Sequence, residues 1–248
     1  MNRHDDGPAM SIETMKKIMS ATPEELKAIN DFADQIEKKE LIEAEERRAR
    51  KEKEHKKAEQ DRINSEISRF PKRYAHATFE NYQIYNDSTA ALKQERVISS
   101  LRSGNSLVMF GKNGTGKTHL AYAFLRENIL AGKRCKYILA PDLFDEIKST
   151  YTKGSEENSK ELIEKYARFD CLIIDELDKS FGTPSEFIGL YRIINARYDD
   201  MRPTIVMTNA DDDTVISIVG RSCYERLIEH PGTAVYMDWK SYRARGSK

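Results

Sequence analysis

The stretch Ser106-Leu-Val-Met-Phe-Gly-Lys-Asn-Gly-Thr-Gly-Lys-Thr-His-Leu-Ala-Tyr-Ala-Phe-Leu125 passes from a short apolar run, through a glycine-rich turn, into a segment with helical spacing. Gly111 to Thr118 follow the phosphate-binding pattern Gly-x-x-x-x-Gly-Lys-Thr, and the flanking strand and helix are the setting that the pattern requires. Gly111, Gly114 and Gly116 let the backbone turn its N–H groups inward around anionic oxygens, and the helix beginning near Lys117 adds the positive end of its dipole. Asn113, Thr115 and His119 belong to the same cradle. Lys117 is expected to meet the outer phosphates and Thr118 a magnesium ion, so ATP and Mg2+ are the implied ligands.

A nucleotide-hydrolysing site also needs carboxylates facing the phosphates. Cys171-Leu-Ile-Ile-Asp-Glu176 supplies a pair at the tip of an apolar strand. Asp175 would hold the magnesium, and Glu176 would polarise the attacking water as general base. Strand ends often carry acids, so this pair takes its meaning from the phosphate loop upstream. Thr204-Ile-Val-Met-Thr-Asn209 ends in polar residues that either orient water and read the terminal phosphate or form an ordinary turn. Beyond Pro71, short apolar runs alternate with helical patterns, the signature of an α/β fold with a parallel sheet and crossover helices. Strands are expected near 107–110, 136–139, 171–174, 204–207 and 234–237. Helices are expected near 118–131, 142–151, 160–168, 185–198 and 212–228, the last broken at Gly220.

Ahead of Pro71 the texture is different. Ser11 and Thr22 look like helix N-caps, the second strengthened by Pro23 and Glu25. Leu26, Ile29, Ala33 and Ile36 then share one helical face. From Leu41 to about Ile63 most residues are charged, with Glu43 and Arg47, or Glu52 and Lys56, at helical spacing. Such a stretch is a solvated helix or linker, or else a docking arm. The expected division is a charged helical region over 1–70 and a nucleotide-binding domain over 71–248.

Basic and acidic residues both number 41, which removes any whole-molecule electrostatic case for nucleic acid or membrane binding. Hydrophobic residues make up 39% of the chain, enough for one substantial core. Apolar runs are strand-sized and the N-terminus has no apolar signal core, so a cytoplasmic location without membrane contact is expected. Cys135, Cys171 and Cys223 are scattered and read as small buried hydrophobes, and the histidines form no metal cluster.

With these elements in place, residues from about Phe70 to Arg245 resemble the DnaC helicase-loader branch of the AAA+ ATPases, and more loosely the IstB transposition helpers. The resemblance rests on Ala77-Thr-Phe-Glu-Asn-Tyr82, Gly116-Lys-Thr-His-Leu120, Ile173-Ile-Asp-Glu-Leu177, Thr208-Asn209 and the closing Asp238-Trp-Lys-Ser-Tyr-Arg243, which favours the DnaC branch. It implies a P-loop AAA+ (ASCE) three-layer fold with a five-stranded parallel sheet, no C-terminal lid domain and a helical N-terminal region. It also implies Asn209 as sensor-1, Arg243 as the sensor-2 residue on the nucleotide, and Arg226 as the arginine finger, with Arg221 in reserve. A finger is a guanidinium lent to a neighbour's phosphates, so an ATP-dependent homo-oligomer follows from the likeness.

The helix after the second strand occupies the place where initiator and loader ATPases carry an inserted helix that touches single-stranded DNA. Lys148, Tyr151 and Lys153 would supply phosphate contact and base stacking there, while Leu143, Phe144 and Ile147 read as its buried face. Two positions depart from the family pattern: Glu225 stands where Asp is usual before the finger, and Asp178 where Gly usually follows the acidic pair. The implied function is ATP-switched, slowly hydrolysing loading of a hexameric DnaB-type replicative helicase onto single-stranded DNA in replication initiation. An IstB-like transposition helper and a phage or mobile-element protein that captures the helicase share the same motifs. A nucleoside or shikimate-type kinase fits them less well.

Overall fold

Five apolar runs become the strands β1 (Leu107–Phe110), β2 (Cys135–Leu139), β3 (Cys171–Asp175), β4 (Thr204–Thr208) and β5 (Thr233–Tyr236) of one sheet, ordered β2-β3-β4-β1-β5. All four neighbouring pairs are parallel. Every residue of β1, β3 and β4 is buried, as expected of strands covered on both faces. The computed structural model describes residues 22–85, 87–151, 158–179, 183–229 and 231–242.

Helices cover both faces of the sheet, and successive strand residues feed opposite cores. Leu107, Met109, Ile205 and Met207 pack with Val97 and Leu101 of α2 and with Leu120 and Phe124 of α3. Here α1 is Pro23–Ser68, α2 is Ser88–Arg102 and α3 is Lys117–Leu130. Val108, Phe110 and Val206 pack on the other face against α4 (Ala140–Ser149), α5 (Ser159–Ala167), α6 (Pro184–Asp199), α7 (Asp212–Val219) and α8 (Arg221–Ile228). Capping boxes start α5 at Asn158 and Glu161, and α6 at Thr183 and Glu186. Gly220, at φ +79°, separates α7 from α8 where the sequence places a break.

One helix of the second unit is absent from the sequence expectation. Helix α2 starts on Asp87, whose carboxylate accepts from the N–H groups of Thr89 at 2.9 Å and Ala90 at 3.1 Å. Its buried face is only Gln94, Val97 and Leu101, too narrow a stripe to show as helical periodicity.

The chain divides into two units, Met1–Gln60 and Asp61–Lys248. In the first, the reciprocal Thr22 and Glu25 bonds that open α1 are present, at 2.8 Å and 3.3 Å. Pairs such as Arg50 with Glu54 and Lys56 with Glu52 run along its exposed surface. The Ser11 cap lies outside the described residues. In the second unit Ile63 is buried and Ile67 and Phe70 pack against the core, although the sequence groups them with the charged region. No helix among the described residues is long and apolar enough to cross a membrane.

Candidate nucleotide site

The phosphate loop joins the tip of β1 to the start of α3, at the carboxyl ends of the strands where ligands of parallel sheets bind. Gly111 and Gly116 have φ of +153° and +100°. A Cβ at Gly111 would lie 2.6 Å from the Met237 carbonyl oxygen, and one at Gly116 would lie 2.6 Å from the Tyr82 ring, so only glycine fits. Lys117 is 8% exposed. Its Nζ donates to the carbonyl of Gly111, to that of Lys112 at 3.2 Å and to Asn209 Oδ1 at 3.0 Å. The ammonium thus lies across the loop, held by groups that an anion would displace or share. Replacing Gly116 by Ala forces a left-handed backbone and a clash together, a strain of about 1–3 kcal/mol. Titration with a fluorescent ATP analogue should show affinity falling roughly tenfold or more; unchanged affinity would contradict this reading of the loop.

Opposite the loop, Asp175 ends β3 and is 6% exposed. Its Oδ2 accepts from the Tyr137 hydroxyl at 2.6 Å and its Oδ1 from the Glu176 N–H at 2.7 Å. Burial raises the Asp175 pKa, opposed by those two bonds and by the charge of Lys117. Burial, then the Asp175 charge, pushes the Tyr137 phenol well above its ordinary value, so it stays a donor. Glu176 is exposed into the same cavity with φ +56°, a left-handed conformation uncommon outside glycine. Its carbonyl accepts from Lys179 N–H at 2.9 Å, starting a short 3-10 turn over Leu177–Lys179.

Asp178 in that turn accepts from the Thr208 hydroxyl and the Asn209 N–H, both at 3.0 Å. Burial works against its charge, but these bonds outweigh it and hold its pKa below the usual value. The residue that departs from the family pattern therefore ties the tip of β3 to the tip of β4 and sets the Asn209 that meets Lys117.

Sequence reading missed the brace behind the loop. The Thr115 carbonyl accepts from the Tyr82 hydroxyl at 3.1 Å and from Trp239 Nε1 at 2.9 Å. Fully buried Gln94 donates to the Tyr82 hydroxyl at 3.2 Å and to that of Tyr242 at 2.8 Å, and accepts from the Tyr85 N–H at 2.8 Å. The Tyr242 N–H reaches the Gly114 carbonyl at 2.8 Å. The signal in the sequence is the set of aromatics Tyr82, Trp239 and Tyr242 in the two segments that also carry the family likeness. His119 belongs to this brace through Nε2, 3.0 Å from the Thr78 carbonyl.

Asn113, Gly114, Gly116, Lys117, Thr118, His119, Asp175, Glu176 and Asn209 line one cavity of about 450 Å³, together with Arg73, Tyr74, Asn81, Tyr82, Gln83 and Tyr242. A cradle that a Cβ would fill, an ammonium, the Thr118 hydroxyl and hard carboxylate oxygens fit a magnesium nucleotide. Among the described residues there is no group of three or more His, Cys, Asp or Glu that could by itself hold a metal ion.

Other expected residues lie elsewhere. Arg226 on α8 is outside the cavity, with its guanidinium 5.9 Å and 5.6 Å from the rings of Tyr191 and Tyr198 and its Nη1 donating to Ser222 Oγ at 2.6 Å. Arg221 is exposed at the start of α8. Lys148 forms an ion pair at 2.8 Å with Glu186, which is 2% exposed, so its charge is already engaged. Tyr151 is half exposed, and Leu143, Phe144 and Ile147 form the buried face of α4. Arg243 and Lys153 lie outside the described residues. Cys135 and Cys171, scattered in sequence, are partners in the β2–β3 register.

A family model for the IstB-like ATP binding protein matches residues 13–245. The chain belongs to that family. This family member is 29% identical over 175 residues to the replicative helicase loader DnaC of Escherichia coli K12, covering 69% of this chain and 71% of DnaC. A crystal structure of the DnaC helicase loader superposes with a TM-score of 0.55 at 23% identity, over 67% of this chain and 99% of that one. AMPPCP-bound DnaA from Aquifex aeolicus gives a TM-score of 0.55 at 24% identity over 68% of this chain and 51% of that one, so the chain spans about half of that protein. The fold is the AAA+ P-loop fold with a five-stranded parallel sheet.

Proposed function

We propose that this family member is an ATPase that loads a hexameric DnaB-type replicative helicase onto single-stranded DNA in the cytoplasm, with ATP as the switch. What carries the reading is the convergence of Lys117, Thr118, Asp175, Glu176 and Asn209 on one cavity, in a chain similar to DnaC loaders over 175 residues. Lys117 and the glycine cradle bind the phosphates, Thr118 and Asp175 hold the magnesium, and Asn209 holds Lys117 and reads the terminal phosphate. Bound Mg2+ neutralises charge on the outer phosphates. Glu176 takes the proton from the attacking water. Arg226, outside its own cavity, serves a neighbour's, so binding orders an oligomer and hydrolysis releases it.

Region 1–70 is the helicase contact. In support, Leu26, Phe32, Ile36, Leu41 and Ile42 of α1 are exposed apolar residues in an otherwise charged helix. With Lys148 engaged by Glu186, Tyr151 is the residue of α4 and its flank best placed to stack on a base. Light scattering of the full chain mixed with a DnaB-type helicase should show a complex that changes with Mg-ATP; absence of any complex would overturn the loader reading. The family match favours one second reading, an IstB-like helper on duplex DNA. Preference for double-stranded over single-stranded DNA in an ATP-dependent shift assay would select it.

A further inference from the structure

A column of aromatic rings leads from Asp175 to the segment that follows α1. Tyr137 on β2 donates its hydroxyl to Asp175 Oδ2 at 2.6 Å. The Tyr137 ring lies 5.0 Å from that of Tyr122 on α3. Tyr122 stacks on Tyr74 at 5.1 Å with planes 6° apart, and meets Phe70 edge-on at 4.9 Å. These separations fall in the range of favourable ring pairs. Phe70 and Tyr74 flank Pro71 immediately after the last turn of α1. Arg126 on α3 fixes the same segment, with Nε donating to the Ala77 carbonyl at 3.1 Å and its guanidinium 5.6 Å from the Phe70 ring.

We infer that Tyr137 is a positioning residue for Asp175, and that the column through Tyr122 couples metal-nucleotide occupancy at Asp175 to the placement of the Phe70–Tyr74 segment. With Oδ1 held by the Glu176 N–H and Oδ2 by Tyr137, the free lone pairs of the carboxylate have a fixed direction. A cation drawn to Asp175 acts on a carboxylate whose orientation the Tyr137 hydroxyl sets, as partners behind a metal ligand do. Close-packed rings cannot move one at a time, so a shift of Tyr137 is felt by Tyr122, by Tyr74 stacked on it and by Phe70 packed edge-on against it. One end of the column also lines the nucleotide cavity, through Tyr74. The inference rests on the proposed assignment of Asp175 to a magnesium nucleotide.

Two measurements on the full chain test it: the Mg2+ dependence of fluorescent-nucleotide binding, and hydrogen exchange of residues 67–77 with and without a magnesium-bound non-hydrolysable ATP analogue. Tyr137→Phe keeps the ring and removes the hydroxyl. It should raise the Mg2+ needed for half-saturation roughly 10- to 100-fold, leave metal-free nucleotide affinity unchanged, and abolish the ligand-dependent exchange change. Tyr122→Leu keeps the hydroxyl contact and should lose only the exchange change. An unaltered Mg2+ requirement in Tyr137→Phe removes the positioning role, and an unaltered exchange response removes the coupling. If Tyr122→Leu does not fold, the Tyr137→Phe pair of readouts decides alone. Failure of the unmodified chain to bind the magnesium nucleotide would overturn the site assignment itself, and the inference with it.

Discussion

Glu176→Gln should leave Mg-ATP binding intact while lowering turnover roughly 10²- to 10⁴-fold, the range over which a positioned general base acts. The backbone bonds that fix this residue, from its N–H to Asp175 Oδ1 at 2.7 Å and from Lys179 to its carbonyl at 2.9 Å, do not involve its side chain. Gln therefore keeps the left-handed backbone and the shape of the cavity, but an amide cannot take a proton from water. Turnover within a few-fold of the unmodified protein would strip Glu176 of its role. A loader carrying this change should stall with the helicase undelivered, whereas a protein that only captures the helicase should keep its effect.

The same variant tests whether the site is shared. Arg226→Ala and Glu176→Gln chains, each inactive alone, should recover activity when mixed, because an Arg226→Ala chain has an intact Glu176 and can receive Arg226 from its neighbour. At equal proportions and random assembly about a quarter of the junctions are complete in a head-to-tail ring or spiral. No recovery would mean that Arg226 is not lent between subunits, and Arg221 would be the next candidate.

Local signals carried the sheet and the loop. The run at 107–110 forms β1 (Leu107–Phe110), and the other expected strands are shifted or extended by one residue, because buried parallel strands are continuous apolar runs bounded by turn residues. The glycine-lysine-threonine motif was readable for the same reason, since its parts are neighbours in the chain. Contacts between distant segments were not. Tyr82, Gln94, Trp239 and Tyr242 meet behind the loop only because β5 runs beside β1, and no spacing rule links residues so far apart. Cys135 and Cys171 became partners only once β2 and β3 paired in register. Nor does any local pattern show that Asp178 joins the tips of β3 and β4, or that the start of α6 brings Glu186 to Lys148.

Arg197→Met should destabilise the second unit by about 3–5 kcal/mol, the scale of a few buried carbonyls left without donors. The side chain is fully buried on α6. Its Nε donates to Thr204 Oγ1 at 3.0 Å, its Nη1 to the carbonyls of Tyr166, Ala167 and Phe169 at 2.9, 3.2 and 2.6 Å, and its Nη2 to that of Pro203 at 2.6 Å. Two of those carbonyls end α5, where a cation also meets the negative end of the helix dipole. Burial pulls the Arg197 pKa down to about 10, still cationic at neutral pH. Methionine fills similar volume but leaves the carbonyls buried without donors, each costing about 1–3 kcal/mol if unsatisfied. Lysine should recover only part of the loss, because one ammonium cannot replace a planar fork of five donors. The expected fall in melting temperature is about 10 °C, and a shift under about 2 °C would refute the clamp. Arg197 grips the starts of β3 and β4, at the opposite end of the sheet from Asp175 and Asn209. Nucleotide affinity of the folded fraction should therefore be unchanged, so that loss of stability without loss of binding separates this clamp from the site it supports.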